Sequence, residues 1–122
     1  MSKILIVDDD RELVQLIERV LLSQKIEATP LVTAGLMSAA LKKEKFDAII
    51  TDLKMPVVDG FAVVNMVRGS GLNKKTPIIV MSGYLDKPSM DRLTGMGIKA
   101  ALVKPFSMQL LIDKISEITH GK

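Results

Sequence analysis

Cysteine is absent from the 122 residues, which excludes a disulfide framework, thiol catalysis and a thiolate zinc site. Long apolar runs are absent too. Ile4–Val7 and Ile78–Met81 fall far short of the roughly 20 residues that a membrane helix needs, so no transmembrane span is expected. The start, Met1-Ser2-Lys3, leads through a brief apolar run into Asp8-Asp9-Asp10, unlike a secretory signal, and a cytoplasmic protein is the expectation. There is no Gly-x-Gly-x-x-Gly run, no internal repeat and no low-complexity linker. A chain of this length has room for one core, so a single domain over residues 1–122 is expected, with no attached output domain.

With 48% hydrophobic and 25% charged residues, the composition is that of a folded chain and not of a disordered tail. The formal charge of +3 hints at nucleic acid, but the basic residues are scattered along the chain and read as a solvated surface. No recognition-helix motif supports direct nucleic-acid binding.

Four apolar runs, Ile4–Val7, Ala48–Ile50, Ile78–Met81 and Ala100–Val103, are too short for helices and suit central strands buried on both faces. The stretch Ile26–Leu31 alternates instead, and Pro30 cannot donate a ladder hydrogen bond, which places this strand at an edge. Between the runs, apolar residues recur at helical spacing: Leu13, Leu16, Ile17 and Val20; Met37, Ala40 and Leu41; Val63, Val64 and Val67; Met108, Leu111, Ile112 and Ile115. The segment from Asp86 to Thr94 predicts a short helix with Pro88 in its first turn, closed by Gly95 and Gly97. Alternating strands and helices imply an α/β, doubly wound fold with a parallel sheet.

Polar residues interrupt the strands at their C-terminal ends: Asp8 and Asp9 after the first, Asp52 after the third, Ser82 after the fourth and Lys104 after the fifth. In such sheets these ends share one edge, where ligands bind. Clustered carboxylates repel one another, and magnesium, which takes oxygen ligands, is the natural neutraliser. Lys104 and Ser82 supply a positive charge and a hydroxyl donor suited to a transferred phosphoryl group, and Asp52 is the candidate nucleophile. Asp10 reads as a helix cap, Asp59-Gly60 as a turn with positive φ at Gly60 before a helix start, and His120 as solvent-exposed rather than a ligand.

Taken together, Ile6-Val7-Asp8-Asp9-Asp10, Thr51-Asp52-Leu53-Lys54-Met55-Pro56, Asp59-Gly60, Met81-Ser82-Gly83 and Leu102-Val103-Lys104-Pro105-Phe106 resemble the receiver domains of two-component response regulators, the chemotaxis regulator among them. The resemblance covers essentially the whole chain. It implies a flavodoxin-like (βα)5 fold with strand order 2-1-3-4-5, whose reversal between the first and third strands would bring Asp8, Asp9 and Asp52 together. It further implies that Asp52 is the phosphoacceptor and that Asp9, Asp52 and the Lys54 main-chain carbonyl ligate magnesium, for which manganese can substitute, with Asp8 acting through water. Lys104 and Ser82 would contact the phosphoryl oxygens. The donor would be a phosphohistidine of a sensor histidine kinase or phosphotransfer protein. The chain would catalyse its own phosphorylation and dephosphorylation without being an enzyme toward an outside substrate. Its output would be a downstream protein target or a separate effector domain.

One position departs from that family. Three residues before Lys104, where many receivers carry an aromatic that moves with the strand-four hydroxyl, stands Ala101. The signal is then expected to travel through Ser82-Gly83-Tyr84, with Lys54 and Tyr84 tuning the lifetime of the acyl phosphate. The alternatives are a nucleotide- or flavin-binding enzyme, which the acidic loop after the first strand disfavours, and a haloacid-dehalogenase-like phosphatase using Asp8 and Asp10, which leaves Asp52 unexplained. A phosphorylation-independent interaction module is a third, with Ala101 as its support.

Overall fold

A short apolar run becomes a buried strand when helices cover both faces to which its side chains alternately point. In the computed structural model, which describes residues 2–55 and 58–120, five strands alternate with five helices. They are β1 (Lys3–Val7), α1 (Arg11–Ser23), β2 (Glu27–Leu31), α2 (Met37–Lys43, preceded by a 3-10 turn at Ala34–Leu36), β3 (Ala48–Asp52), α3 (Gly60–Arg68), β4 (Ile78–Ser82), α4 (Lys87–Gly95), β5 (Ala100–Val103) and α5 (Met108–His120). All strand pairs are parallel, in the order β2-β1-β3-β4-β5. The expected doubly wound architecture is therefore present, and β2, with Pro30 opposite Ile6, forms one edge. The sequence expectations for Pro56 and for the His120 side chain lie outside the described residues.

Alternation along the strands divides the core in two. Leu5, Val7, Ile49 and Val80 meet Met37, Leu41, Val63, Val67 and Leu93 from α2, α3 and α4 on one face. On the other, Ile4, Ile6, Ile50, Ile79 and Met81 meet Val14, Ile17 and Leu21 of α1 and Leu111 and Ile115 of α5. Each fully buried side chain of this size stabilises the fold by about 1.5–3 kcal/mol relative to exposure, so these two layers position everything at the strand ends. Among the described residues, no helix is long and apolar enough to cross a membrane.

Two expectations are corrected here. Ala100–Val103 is not the central strand that its apolar run suggested: β5 is the second edge, as the strand order implied by the family resemblance has it, bonded to β4 alone, and Val103 is 52% exposed. Its Ala100 and Leu102 are covered from the α1–α5 face, and an apolar run buried on one face reads in sequence like one buried on both. In α1 the buried stripe is Val14, Ile17 and Leu21, whereas Leu16 is 39% exposed. This helix carries leucine or valine on more than one side, which leaves the phase of its 3.6-residue repeat undetermined until the sheet selects a face.

The helix that the sequence places over Asp86 to Thr94 forms as a short one, Lys87–Gly95. Asp86 caps α4 by accepting from the Ser89 N–H at 2.9 Å, Pro88 sits in the first turn, and Leu93 is its buried residue. Gly97, at φ +82°, supplies the left-handed step that returns the chain to β5, while Gly95 is simply the last helical residue. Arg92 lies over the Phe61 ring at 3.9 Å from its centroid, a cation–π contact that joins α4 to α3.

At the opposite end of the sheet, the fully buried side chain of Asn73 joins the α3–β4 connection to the α2–β3 connection. Its carboxamide oxygen accepts from the Phe46 N–H at 2.8 Å, and its amide donates to the carbonyls of Leu41 and Glu44 at 3.0 and 2.9 Å. Asn73→Ala orphans these backbone groups away from water. Urea unfolding of the variant is expected to show a loss of at least about 2 kcal/mol; stability equal to wild type would refute the role of this side chain as a staple.

Candidate functional site

Parallel register brings the sheet's C-terminal ends to one edge. Val7 pairs with Thr51, Asp52 with Met81 and Ser82 with Val103, so the residues immediately beyond β1 and β5 lie level with the ends of β3 and β4. Backbone bonds extend the ladder past the strands: Asp8 N–H donates to Leu31 O at 3.1 Å, Leu53 N–H to Met81 O at 2.8 Å and Lys104 N–H to Ser82 O at 2.7 Å. These bonds fix Asp8, Asp52 and Lys104 against one another before any side chain is placed.

The side chains then converge. Asp8 and Asp52 are buried, Asp9 is exposed, and each can offer one carboxylate oxygen within 4.8 Å of the others. The Lys104 ammonium lies 2.9 Å from Asp8 Oδ2 and 3.3 Å from Asp52 Oδ1. The second oxygen of Asp8 accepts from the Asp10 N–H at 3.0 Å, so both of its oxygens are engaged. Burial, and next the charge of Asp8, hold the Asp52 carboxyl above the usual carboxylate range, although Lys104 pulls the other way. Burial pulls the Lys104 ammonium down, but its hydrogen bond to Asp8 and the charges of Asp8 and Asp52 outweigh this and raise it. One lysine thus leaves negative charge uncompensated, and an oxygen-only cluster of this kind could hold a divalent cation.

Ser82 is fully buried at the end of β4, but its hydroxyl is engaged with its own loop. It donates to the Tyr84 carbonyl at 2.8 Å and accepts from the Tyr84 N–H at 3.3 Å. Of the sequence candidates, Asp8, Asp9 and Asp52 are clustered and Lys104 pairs with Asp8 and Asp52, whereas the Ser82 hydroxyl is committed elsewhere. Lys54 is exposed in the β3–α3 loop. The Asp86 carboxyl is held low mainly by its cap hydrogen bonds with Ser89, with a smaller contribution from the charge of Lys54. Tyr84 is 65% exposed, and Ala101 sits on β5 opposite Val80, partly buried.

Asp10 and Asp59 cap α1 and α3, accepting from the Leu13 and Ala62 N–H groups at 3.1 and 2.9 Å. Gly60 corrects the sequence reading: among the described residues Gly97 is the glycine with positive φ, and Gly60 is the first residue of α3. A Cβ there would lie 2.6 Å from the Asp52 carbonyl oxygen and 2.7 Å from Leu53 Cα, both backbone atoms. Glycine is required because α3 begins against the strand end that carries Asp52, and the Gly60 N–H bonds Leu53 O at 2.7 Å. Nothing in the sequence distinguishes a glycine needed for space from one needed for φ, so this support of the site was not foreseen.

A model of the response regulator receiver domain family matches residues 4–116. Transcriptional regulatory protein PrrA of Mycobacterium tuberculosis is 30% identical over an alignment of 122 positions that covers 98% of this chain and 51% of that protein. The chain thus spans about half the length of the curated relatives it matches. Among solved structures, chemotaxis protein CheY4 of Vibrio cholerae superposes with a TM-score of 0.91 at 30% identity, over 97% of this chain and 98% of that one. The receiver domain of sensor histidine kinase PA1611 from Pseudomonas aeruginosa, which has a magnesium ion coordinated in its active site cleft, shares the fold with a TM-score of 0.87. It is 23% identical, over 99% of this chain and 98% of that one.

A carboxyl whose folded pKa lies above its unfolded one destabilises the fold above that folded value, and the penalty disappears as pH falls through it toward the ordinary carboxylate range. For Asp52 the cause is burial beside Asp8. Asp52→Asn is therefore expected to raise the melting temperature by a few degrees at neutral pH in metal-free buffer, with the gain shrinking on acidification. A variant that melts at or below wild type at neutral pH would show that the attraction of Lys104 outweighs the repulsion.

Proposed function

This chain belongs to the response regulator receiver domain family, whose members act as phosphorylation-dependent switches in two-component signalling, and we propose that Asp52 is its phosphoacceptor. The observation that carries this reading is the buried Asp52 carboxylate beside a cationic Lys104 that also holds Asp8, at the sheet edge where strand order reverses. A carboxylate oxygen of Asp52 attacks phosphorus, and the phosphorus–oxygen bond forms as the phosphorus–nitrogen bond of a phosphohistidine breaks. The electron pair leaves with the imidazole, which takes up a proton from solvent.

Lys104 is placed to hold a phosphoryl oxygen, exchanging its contact with Asp52 for one with the group that Asp52 carries. Magnesium suits the oxygen-only cluster, with manganese as a substitute, and when bound it offsets the charge of the carboxylates and of the phosphoryl group. Asp9, Asp52 and the Lys54 main-chain carbonyl are the proposed direct ligands. Asp8, whose two oxygens are taken by the Asp10 N–H and by Lys104, would act through water.

To reach the phosphoryl group, the Ser82 hydroxyl must give up the Tyr84 carbonyl and amide. Tyr84 lies two residues before Asp86, the cap of α4, so release of this loop alters the start of the helix. With Ala101 on β5 there is no ring to follow the hydroxyl inward, and the signal passes through Ser82-Gly83-Tyr84 into α4. Lys54 and Tyr84, both exposed, flank the approach of the hydrolysing water and set the lifetime of the acyl phosphate. The phosphodonor is a sensor histidine kinase or phosphotransfer protein in the cytoplasm, and the output is a change in binding to a protein target or an effector domain. The domain catalyses its own phosphorylation and dephosphorylation.

Incubation with magnesium and acetyl phosphate is expected to add one phosphoryl mass to the wild-type protein and none to Asp52→Asn, read by intact-protein mass spectrometry. Incorporation into the variant would reassign the acceptor, and failure of wild type with both acetyl phosphate and a cognate kinase would favour the phosphorylation-independent module. In a crystal structure with beryllofluoride bound, Ser82 Oγ should leave the Tyr84 backbone and the loop should shift. An unchanged Ser82–Tyr84 loop would refute the proposed route of the signal.

A further inference from the structure

The lysines that read as scattered along the chain are gathered by the fold. Lys3, Lys25, Lys45, Lys74 with Lys75, and Lys99 each begin or lie just ahead of a strand, and parallel strands start at a common edge. Lys42, Lys43 and Arg68, in the last turns of α2 and α3, end at that edge too. Those last-turn residues complement the negative ends of their helices, an effect that fades beyond one turn. It does not account for Lys75 and Lys99, which lie outside the helices in the connections to β4 and β5. This edge is opposite the one that carries Asp52.

Two adjoining cavities of about 360 and 380 Å³ run across it and share Lys75, Pro77 and Ile118. The cations lining them are Lys45, Arg68, Lys75 and Lys99, and the carboxylates are Asp47 and Glu117. Both carboxylates are already engaged: Asp47 accepts from the Lys3 N–H at 2.7 Å, and Glu117 lies 3.4 Å from the Lys114 ammonium. Among the described residues Lys45, Lys75, Lys99 and Arg68 make no ion pair. Arg68 is half-buried and donates only to carbonyls, those of Lys74 at 3.1 Å and Thr76 at 2.8 Å. Burial lowers its pKa, as expected of a guanidinium desolvated without a carboxylate beside it.

We propose that this trough docks an acidic, partly apolar peptide segment of a partner protein, whose carboxylates pair with Lys45, Arg68, Lys75 and Lys99 while its apolar side chains cover Pro77 and Ile118. Charge complementarity selects an acidic occupant, and the apolar floor between the cations selects a peptide over a nucleic-acid strand. A strand of nucleic acid would seek an exposed aromatic on which to stack its bases, whereas Phe46, the aromatic of the trough, is 1% exposed. A continuous phosphate backbone would also run against Asp47 and Glu117, which discrete carboxylates can avoid. The domain would then receive its phosphoryl group at one edge of the sheet and hold a partner at the other.

The test is an amide-resolved NMR titration of the full chain with the peptide acetyl-Glu-Leu-Glu-Glu-Leu-Glu-amide, set against its glutamine-for-glutamate counterpart and a short DNA duplex. Shifts are expected to concentrate at Lys45, Lys75, Gly97 and Lys99. Affinity should fall by about tenfold or more in the double variant Lys75→Glu, Lys99→Glu and weaken with added salt. Acetyl phosphate should label that variant as it labels wild type, which shows an intact fold and separates this surface from the Asp52 site. Absence of binding at millimolar peptide, equal affinity of the charge-reversed variant, or equal affinity of the glutamine peptide would overturn the proposal. Tighter binding of the duplex at the same residues and salt would replace the acidic peptide with nucleic acid.

Discussion

The ammonium of Lys104 lies between two buried carboxylates, Asp8 and Asp52, and this contact joins residues 96 positions apart. Without a cation there, two acids at neighbouring strand ends would face each other in a poorly solvated space. The parallel sheet makes the contact possible, because β1 and β3 are adjacent although α1, β2 and α2 separate them in sequence. Burial, and after it the charge of Asp8, keep the Asp52 carboxyl above its usual range even so. Three carboxylates against one lysine form an oxygen-only cluster that could hold a further cation.

A second constraint sits beside the first. Ser82 completes β4 but spends its hydroxyl on the backbone of Tyr84, closing a tight loop ahead of α4. α4 itself is lightly attached, through the buried Leu93 and the stacking of Arg92 on Phe61. Phe61 follows Gly60, which leaves no room for a Cβ beside the Asp52 carbonyl and whose N–H bonds Leu53 O, so α3, and α4 stacked on it, take their positions from the strand end of the site. α3 is thus held against the strand end that carries Asp52, while α4 buries one residue, Leu93, fully.

The two edges of the sheet differ in charge for a topological reason. The strand C-termini collect Asp8, Asp9 and Asp52 around Lys104, and the strand N-termini collect Lys3, Lys25, Lys45, Lys74, Lys75 and Lys99, which are separated along the sequence. Helix dipoles favour this arrangement, but only within their terminal turns, and much of the charge is carried by side chains in the connections. The resulting polarity runs along the strands and keeps acid chemistry and basic surface apart.

Much of the fold was legible because burial on both faces leaves an unbroken apolar signature, as in Ile4–Val7 and Ile78–Met81, and because Pro30 can serve only at an edge. Asp8, Asp9, Asp52 and Lys104 were legible because charged residues directly after such runs have no structural reason to recur there. The strand order came from resemblance to a family and not from periodicity, which carries no information on which strands pair. What the chain determined by itself was the kind and sequence of its elements and the residue types at their ends. Tertiary structure decided which face α1 buries, that Gly60 is a glycine for lack of space, that the Ser82 hydroxyl is turned to its own loop, and that separated lysines share one surface. The buried face and the shared surface depend on residues remote in sequence, and the Gly60 and Ser82 contacts on the course the backbone takes beyond β3 and β4; local propensity encodes neither until the sheet sets its register.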